Sequence, residues 1–407
     1  MQDTHVAKRR NRKEYEQGFL FSLGILLTGM LLEWITKGKG TGLPSWPLNV
    51  QIGLSFIIIL VFVHIYYREL NALKWLSRVP AAISAISLFS FLVLIMGLSP
   101  QNDPDASGIL RYTGLSHIRN SFPFLLSGLY LLTSLGLTVL RRSSPVTLKN
   151  IGFLLNHAGL WIIVFAGSLG AGDLQRVNLR VRESETVWYG MDDRHQIKEL
   201  PFTLKLVDFT IDQYNPKLAY IRSEDLSFPK GIANNLVQVE QGMDVEIDGW
   251  KIEVREFLPD AFKDSTGFFA STERMSVPAA YLKASNILNG NEETGWISCG
   301  SFMLPPEFLK LDDTYSLAMT NPEPRTYSSL IEVMTKDGKL IEHDLQVNKP
   351  LKVSGWNLYQ LSYDERMGKW SELSVIEAIK DPWLSVIYPG IFMVLAGAVY
   401  MFWLGKN

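Results

Sequence analysis

His157 is the one titratable side chain set deep inside an apolar segment of this chain, within Asn156-His157-Ala158-Gly159-Leu160-Trp161. It lies eight residues past Lys149, roughly 12 Å along a helix rising 1.5 Å per residue. Ionisable groups at such depth are costly and usually functional. Neutral imidazole costs less than a full charge, so three chemistries stay open. One is a helix–helix hydrogen bond, with Gly152 and Gly159 permitting close approach. The others are axial ligation of haem iron and a proton relay. A relay would lack its usual partners, since no acidic residue lies deep in an apolar segment. His64, four residues before Arg68, sits roughly 6 Å from a helix end by the same rise. It is the second candidate ligand, at a depth where water can reach it.

The remaining histidines suggest less. His117, in Ser116-His117-Ile118-Arg119, reads as a solvated loop residue able to meet a haem edge, and His5, His195 and His343 read as surface residues. No HExxH or zinc-spaced His/Cys cluster occurs. The single cysteine, Cys299, excludes an internal disulfide and a CxxC centre, and reads as a buried small residue. No catalytic residue is assigned. A net charge of −2 argues against nucleic acid as a partner. The cluster Trp356, Tyr359, Tyr363 and Trp370 reads mainly as core.

The elements that must hold these histidines are membrane spans. Apolar stretches of the required ~20 residues run over Gly18–Leu32, Val50–Tyr67, Val79–Leu98, Phe122–Leu140, Ile151–Ala171 and Trp383–Leu404. The first extends past Glu33 through Trp34 and Ile35. No small-residue cleavage site follows the basic run, so it reads as an uncleaved inner-side tail. With the N-terminus inside, the inner side carries Lys8, Arg9, Arg10, Arg12, Lys13, Arg68, Lys74, Arg78, Arg141, Arg142, Lys149 and Lys406. The short outer loops carry only Lys37, Lys39, Arg111 and Arg119. Twelve against four satisfies the positive-inside rule. Both termini are therefore expected in the cytoplasm.

Between Asp173 and Pro382 no stretch spans. Alternation in Phe202-Thr203-Leu204-Lys205-Leu206 and Trp250-Lys251-Ile252-Glu253-Val254 marks strands. Asp248-Gly249 and Asp337-Gly338 mark hairpin turns, with Asn289-Gly290 a third. The expected fold is a polytopic α-helical membrane protein, about six helices, with a large β-rich extracytoplasmic domain, a sandwich or open barrel. Its parts are 1–172 (tail and five helices), 173–382 (β-rich domain) and 383–407 (last helix).

The run Val347-Asn348-Lys349-Pro350-Leu351, then Gly355 and Tyr359-Gln360-Leu361-Ser362-Tyr363, resembles the ResB family, also called CcsB, of System II cytochrome c biogenesis. Asn156 through Gly167 is similar to that family's histidine-bearing helix before the outer domain. Leu200-Pro201-Phe202 through Tyr214 is similar to its first strand pair, and Asp381-Pro382 to its return to the membrane. The resemblance implies a place in the inner (cytoplasmic) membrane beside a CcsA-like partner. There the pair would move reduced haem b across the bilayer and present it to apocytochrome c, a haem lyase-type complex of which this chain is a non-autonomous subunit. The ligand role carries over to His157 alone. Five helices precede the domain where the family typically has three, and the tryptophan-rich haem segment of CcsA is absent.

Two other classes compete: a membrane-anchored scaffold that binds a partner without haem, and an autonomous b-type cytochrome ligated by His64 and His157. A bound-haem spectrum, with and without a CcsA-like partner, separates them. The basic asymmetry makes one expectation independent of haem. A reporter active only in the cytoplasm should work when fused after Asn407, and one active only in the periplasm should stay silent there.

Overall fold

The computed structural model describes residues 2–101, 108–193, 195–229 and 236–404. Its helices are α1 (Gln2–Ile35), α2 (Leu48–Tyr67), α3 (Asn71–Leu76), α4 (Val79–Leu98), α5 (Gly108–Tyr112), α6 (Phe122–Arg142), α7 (Leu148–Gly170) and α8 (Leu384–Leu404). Among the described residues six helices are long and apolar enough to cross a membrane, all but the short α3 and α5. The chain thus has the build of a multi-pass membrane protein with a β-rich part between its last two long helices, α7 and α8. Lys406, counted above on the inner side, lies outside the described residues. One compact unit comprises Met1–Gln175 and Lys380–Asn407, and the other Arg176–Ile379.

In the helical unit α6 is the central element, buried along Ser127, Tyr130, Leu131, Ser134 and Leu135. Lipid gives helices no hydrophobic reason to associate, so small residues and interhelical hydrogen bonds carry the packing. Ser22 donates to the Ser84 carbonyl at 3.0 Å, the Ser84 and Tyr130 hydroxyls lie 2.9 Å apart, and Tyr130 donates to the Ala81 carbonyl. That chain of bonds ties α1, α4 and α6. Gly29 meets the backbone of Pro123. On the other flank Trp161 donates to the Leu132 carbonyl at 2.9 Å, tying α7 to α6.

The α7–α8 contact is closer still. A Cβ on Gly159 would sit 2.6 Å from the Gly390 carbonyl oxygen, and one on Gly397 2.6 Å from the Asn156 nitrogen. Gly152 and Gly390 are packed the same way. Pro389 lies within α8, one residue before this contact. Gly152 and Gly159 thus receive a helix of the same chain, which leaves no room beside them for a flat macrocycle. A Cβ on Gly167, by contrast, would meet nothing within 4 Å.

The other unit is antiparallel throughout its named ladders. Its strands are β1 (Gln175–Arg182), β2 (Thr186–Asp192), β3 (Ile197–Gln213), β4 (Lys217–Arg222), β5 (Val237–Gln238), β6 (Asp244–Ile247), β7 (Trp250–Lys263), β8 (Phe268–Ala270) and β9 (Val277–Asn286). There follow β10 (Glu292–Ser298), β11 (Leu309–Lys310), β12 (Tyr315–Met319), β13 (Pro324–Thr335), β14 (Leu340–Gln346), β15 (Leu351–Val353), β16 (Trp356–Tyr363) and β17 (Leu373–Lys380). One sheet of eight runs β14-β13-β3-β2-β1-β17-β16-β15. Leu204, Leu206, Ile331, Leu345, Leu358 and Ile376, from strands across it, meet in one buried core, so the sheet curls upon itself. The sheets β10-β9-β7-β6 and β11-β12-β4-β5 face each other over a second core of Leu218, Trp250, Ile252, Leu282, Ile297 and Leu317. Where the sequence offers a sandwich or an open barrel as alternatives, the unit is β-rich as expected, with one curled eight-stranded sheet and one pair of facing sheets.

The expected turns stand where the Asp-Gly and Asn-Gly pairs put them. Asp248 (φ 49°) and Gly249 (φ 77°) join β6 to β7. Gly338 (φ 82°) turns between β13 and β14, and Gly290 (φ 73°) between β9 and β10. A further two-residue turn, Ser354-Gly355 with φ of 49° and 79°, joins β15 to β16.

Because the α7–α8 seam has no space for side chains, Gly159→Val and Gly390→Val should each cost about 1–3 kcal/mol through overpacking. Thermal unfolding in detergent should show a lower midpoint for both and no fall for Gly167→Ala, where the added methyl meets nothing and alanine favours the helix.

Candidate functional site

α7 forms because Leu148–Gly170 is apolar along its length, and its contacts set its rotation. Gly152, Asn156 and Gly159 face α8, and Asn156 donates to the Val394 carbonyl at 3.4 Å. One residue further, about 100° round the helix, His157 joins a different stripe. Phe153, His157, Trp161 and Phe165 follow one another at four-residue spacing, which brings side chains over one another. The His157 ring stacks on Phe153 with centroids 3.7 Å apart, and Trp161 on Phe165 at 4.5 Å.

The His157 Nδ1 lies 2.9 Å from the Phe153 carbonyl oxygen. A carbonyl only accepts, so Nδ1 carries the proton and Nε2 keeps its lone pair. That carbonyl fixes both tautomer and ring orientation, as outer-shell acceptors do for metal-ligating histidines. Nε2 has no hydrogen-bond partner among the described residues, and the side chain is half-buried. The residues fit an iron ligand presented from an apolar helix. The Gly167 surface is open, whereas Gly152 and Gly159 are covered.

His64, half-buried on α2, lines a cavity of about 260 Å³ with Arg68, Lys74 and Arg141. Among the described residues none from α7 lines it. Beside it α2 packs on α6 through Leu60, which meets Gly136, while α2 reaches α7 at Gly53, against Phe165 and Leu169. The structure therefore places the two candidate histidines in different surroundings.

His117 differs from its expected solvated state. Its Nε2 lies 2.9 Å from Glu33 Oε1 and its Nδ1 3.2 Å from the Ser116 hydroxyl. Glu33 is fully buried, and it also accepts from the Gly40 and Phe122 amides at 2.8 and 3.0 Å. The pair closes the end of α1 against the start of α6, occupying both nitrogens of His117. Sequence reading missed this because the partners are far apart in the chain. Glu33 at the edge of an apolar run was the available signal. His343, expected at the surface, is half-buried on β14, with Nε2 enclosed and unpartnered among the described residues.

A second junction was also missed. Asp173, just past α7, accepts from the Trp46 amide at 2.6 Å, from Asn49 Nδ2 at 2.7 Å and from Trp383 Nε1 at 2.7 Å. Asn49 also donates to the Leu169 carbonyl. One carboxylate thus gathers the ends of α2, α7 and α8. Burial alone would raise its pKa, but the donors Trp383, Trp46 and Asn49 outweigh it and hold Asp173 below the usual value.

The β unit has a cavity of about 430 Å³ whose walls include Met275, Pro278, Phe302, Tyr363, Met367 and Trp370. Trp370 donates to the Ser276 carbonyl at 3.1 Å, and Lys369 pairs with Asp260. Burial pushes the Lys369 pKa down. Cys299 also lines this cavity, and burial pushes its thiol up to about 11, so it is no thiolate nucleophile at neutral pH. Of the aromatic cluster, Trp356 is core and Tyr363 packs beside that core, while Trp370 faces the cavity.

A carboxylate whose folded pKa is depressed contributes stability above its unfolded pKa, lost as pH falls through the folded one. Asp173→Asn should therefore cost about 1.5–3 kcal/mol near neutrality, the range of charge-assisted hydrogen bonds. The gap in thermal midpoint between wild type and variant should close as pH drops below the normal aspartate value of 3.8.

No curated protein matches the chain. Every named wall residue of the β-unit cavity lies within residues 273–377, as does the run Val347–Leu351. That segment, 273–377, matches the model of the ResB-like family, consistent with the ResB/CcsB family and with an involvement, at family level, in cytochrome c biogenesis.

Proposed function

We propose that this chain is a haem-handling subunit of a cytochrome c assembly complex in the cytoplasmic membrane. In this reading both termini face the cytoplasm and the β unit faces outward. His157 ligates the iron of haem b as it passes through the bilayer, and a CcsA-like partner supplies the second ligand. The observation that carries the reading is the His157 ring itself. Its Nδ1 is committed to the Phe153 carbonyl and its Nε2 is free, inside an apolar helix.

Each feature of the chain then has a task. The Phe153 carbonyl holds the tautomer, and the Phe153 ring holds the imidazole plane. Trp161, bonded to the Leu132 carbonyl, and Phe165, against Gly53, hold that face of α7 to α6 and α2. The α8 seam keeps α7 from rotating. Haem is cargo here, and attachment adds each apocytochrome thiol S–H across a haem vinyl C=C. The chain contributes no redox thiol to that step, because Cys299 is its only cysteine and is held protonated. The β unit receives the apoprotein, and its 430 Å³ cavity is the recess available for it.

That cavity favours a second reading, a membrane-anchored binding protein that captures a partner without haem. An autonomous bis-histidine cytochrome has less support, since none of the described residues of α7 lines the cavity around His64.

His157→Ala should lose haem from the purified complex by about tenfold or more and stop cytochrome c maturation, while still inserting at wild-type levels. Exogenous imidazole should restore both. Phe153→Ala should weaken haem retention less, because the carbonyl survives. Unchanged haem in His157→Ala, read from the absorbance spectrum with the partner co-expressed, would favour the haem-free binding protein.

A further inference from the structure

The cavity around His64 is built by three elements held in fixed register. Ser134 on α6 donates to the Leu76 carbonyl at 2.8 Å, and Thr138 to the Ser77 carbonyl at 3.4 Å, which pins α3 across α6. Leu60, buried against Gly136, pins α2 to the same helix. Together these contacts point Arg68, Lys74 and Arg141 at one space of about 260 Å³. Leu73, Leu137 and Leu140 form its apolar walls. Basic residues at a membrane surface are ordinary, but this set has more order than that. Among the described residues its one acid, Glu69, sits 80% exposed at the rim, 2.8 Å from Lys74 and 3.8 Å from Arg68. Exposed pairs of that kind are weak. Arg141 has no carboxylate partner among the described residues.

The space therefore offers three cations and an imidazole above an apolar floor. Beside it, Ile58, Ile59, Phe62 and Ile65 of α2 are exposed, so an apolar body can lie along the same helix. We propose that this cavity binds the oxyanion head of a membrane amphiphile, with Arg141 as its principal partner, Lys74 and Arg68 beside it and His64 as a neutral hydrogen-bond donor. The shared chemistry is a phosphate or carboxylate group attached to an apolar body. A phospholipid head and the propionates of haem both satisfy it. The lipid case does not depend on His157 or on haem handling.

The test uses the full chain in nanodiscs. In the first arm the discs contain equal phosphatidylglycerol and phosphatidylcholine without haem, and native mass spectrometry counts the lipids retained. In the second, phosphatidylcholine discs are titrated with haem and with haem dimethyl ester, followed by absorbance. One cation near the membrane surface is worth about fivefold in affinity for an anion. Arg141→Gln should lower the anionic preference by that factor in at least one arm, and Arg141→Lys should keep most of it, which separates charge from folding. Arg78→Gln, which removes a charge outside the cavity, should leave it unchanged. A change confined to the first arm identifies lipid phosphate, one confined to the second identifies propionate, and a change in both identifies a shared site. No anionic preference in the wild type, or one that Arg141→Gln and Arg78→Gln lower equally, overturns the proposal.

Discussion

The backbone-to-backbone approach of α7 and α8 sets the geometry on which the candidate site depends. In a bilayer, lipid tails compete with apolar side chains on equal terms, so helices adhere through tight packing and hydrogen bonds. Gly152, Gly159, Gly390 and Gly397 remove the side chains that would hold the two backbones apart. Their heptad spacing defines one stripe on each helix. Once that stripe and Asn156 face α8, the position of His157 is no longer free. It falls in the stripe of Phe153, Trp161 and Phe165, and its Nδ1 reaches the carbonyl one turn back. The geometry of this candidate ligand is thus a consequence of helix rotation.

The same seam matters for the rest of the chain. α7 precedes the β unit and α8 follows it, and within the β unit the first and last strands, β1 and β17, are neighbours. Each unit therefore joins its own two chain ends. Asp173 reinforces the helical one, collecting donors from Trp46, Asn49 and Trp383 where α2, α7 and α8 end. A buried carboxyl at Glu33 does the equivalent for α1 and α6, with His117 as its partner. Backbone groups at helix ends need partners where water is scarce, and these two side chains provide them. The polar residues of the membrane unit thereby divide into two groups. Glu33, His117, Asp173 and Tyr130 are used in packing. His157 and His64 have ring nitrogens left over among the described residues, and these two, with Arg68, Lys74 and Arg141, carry the functional proposals.

The β unit follows another economy. The family-matched segment supplies β9 through most of β17, and so contributes to both cores. A buried cluster of Ser329, Gln360 and Ser374, with hydrogen bonds from 2.6 to 3.3 Å, lies inside that segment. Buried polar groups demand complete pairing, and this set meets the demand among its own members and the Ser362 carbonyl. The cavity walls come from the loops beside it, where backbone is less constrained by the ladders.

Much of this was legible in the residues. Six spans, the β character between Asp173 and Pro382 and the Asp-Gly turns all follow from local rules: apolar length, period-two alternation, and positive φ at Asp248, Gly249 and Gly338. So did the place of His157 within an apolar helix, because the stretches on both sides of it are apolar. What local rules cannot supply is the identity of a neighbour distant in the chain. Gly152 and Gly159 signal close approach by something, and only the tertiary structure shows that it is α8 and not a cofactor. His117 looks solvated until Glu33, 84 residues away, is folded against it. Asp173 looks like a loop residue until Trp383, 210 residues on, donates to it. Sequence determines which residues must leave water; which partners they then meet is decided by packing, where distance along the chain carries no weight.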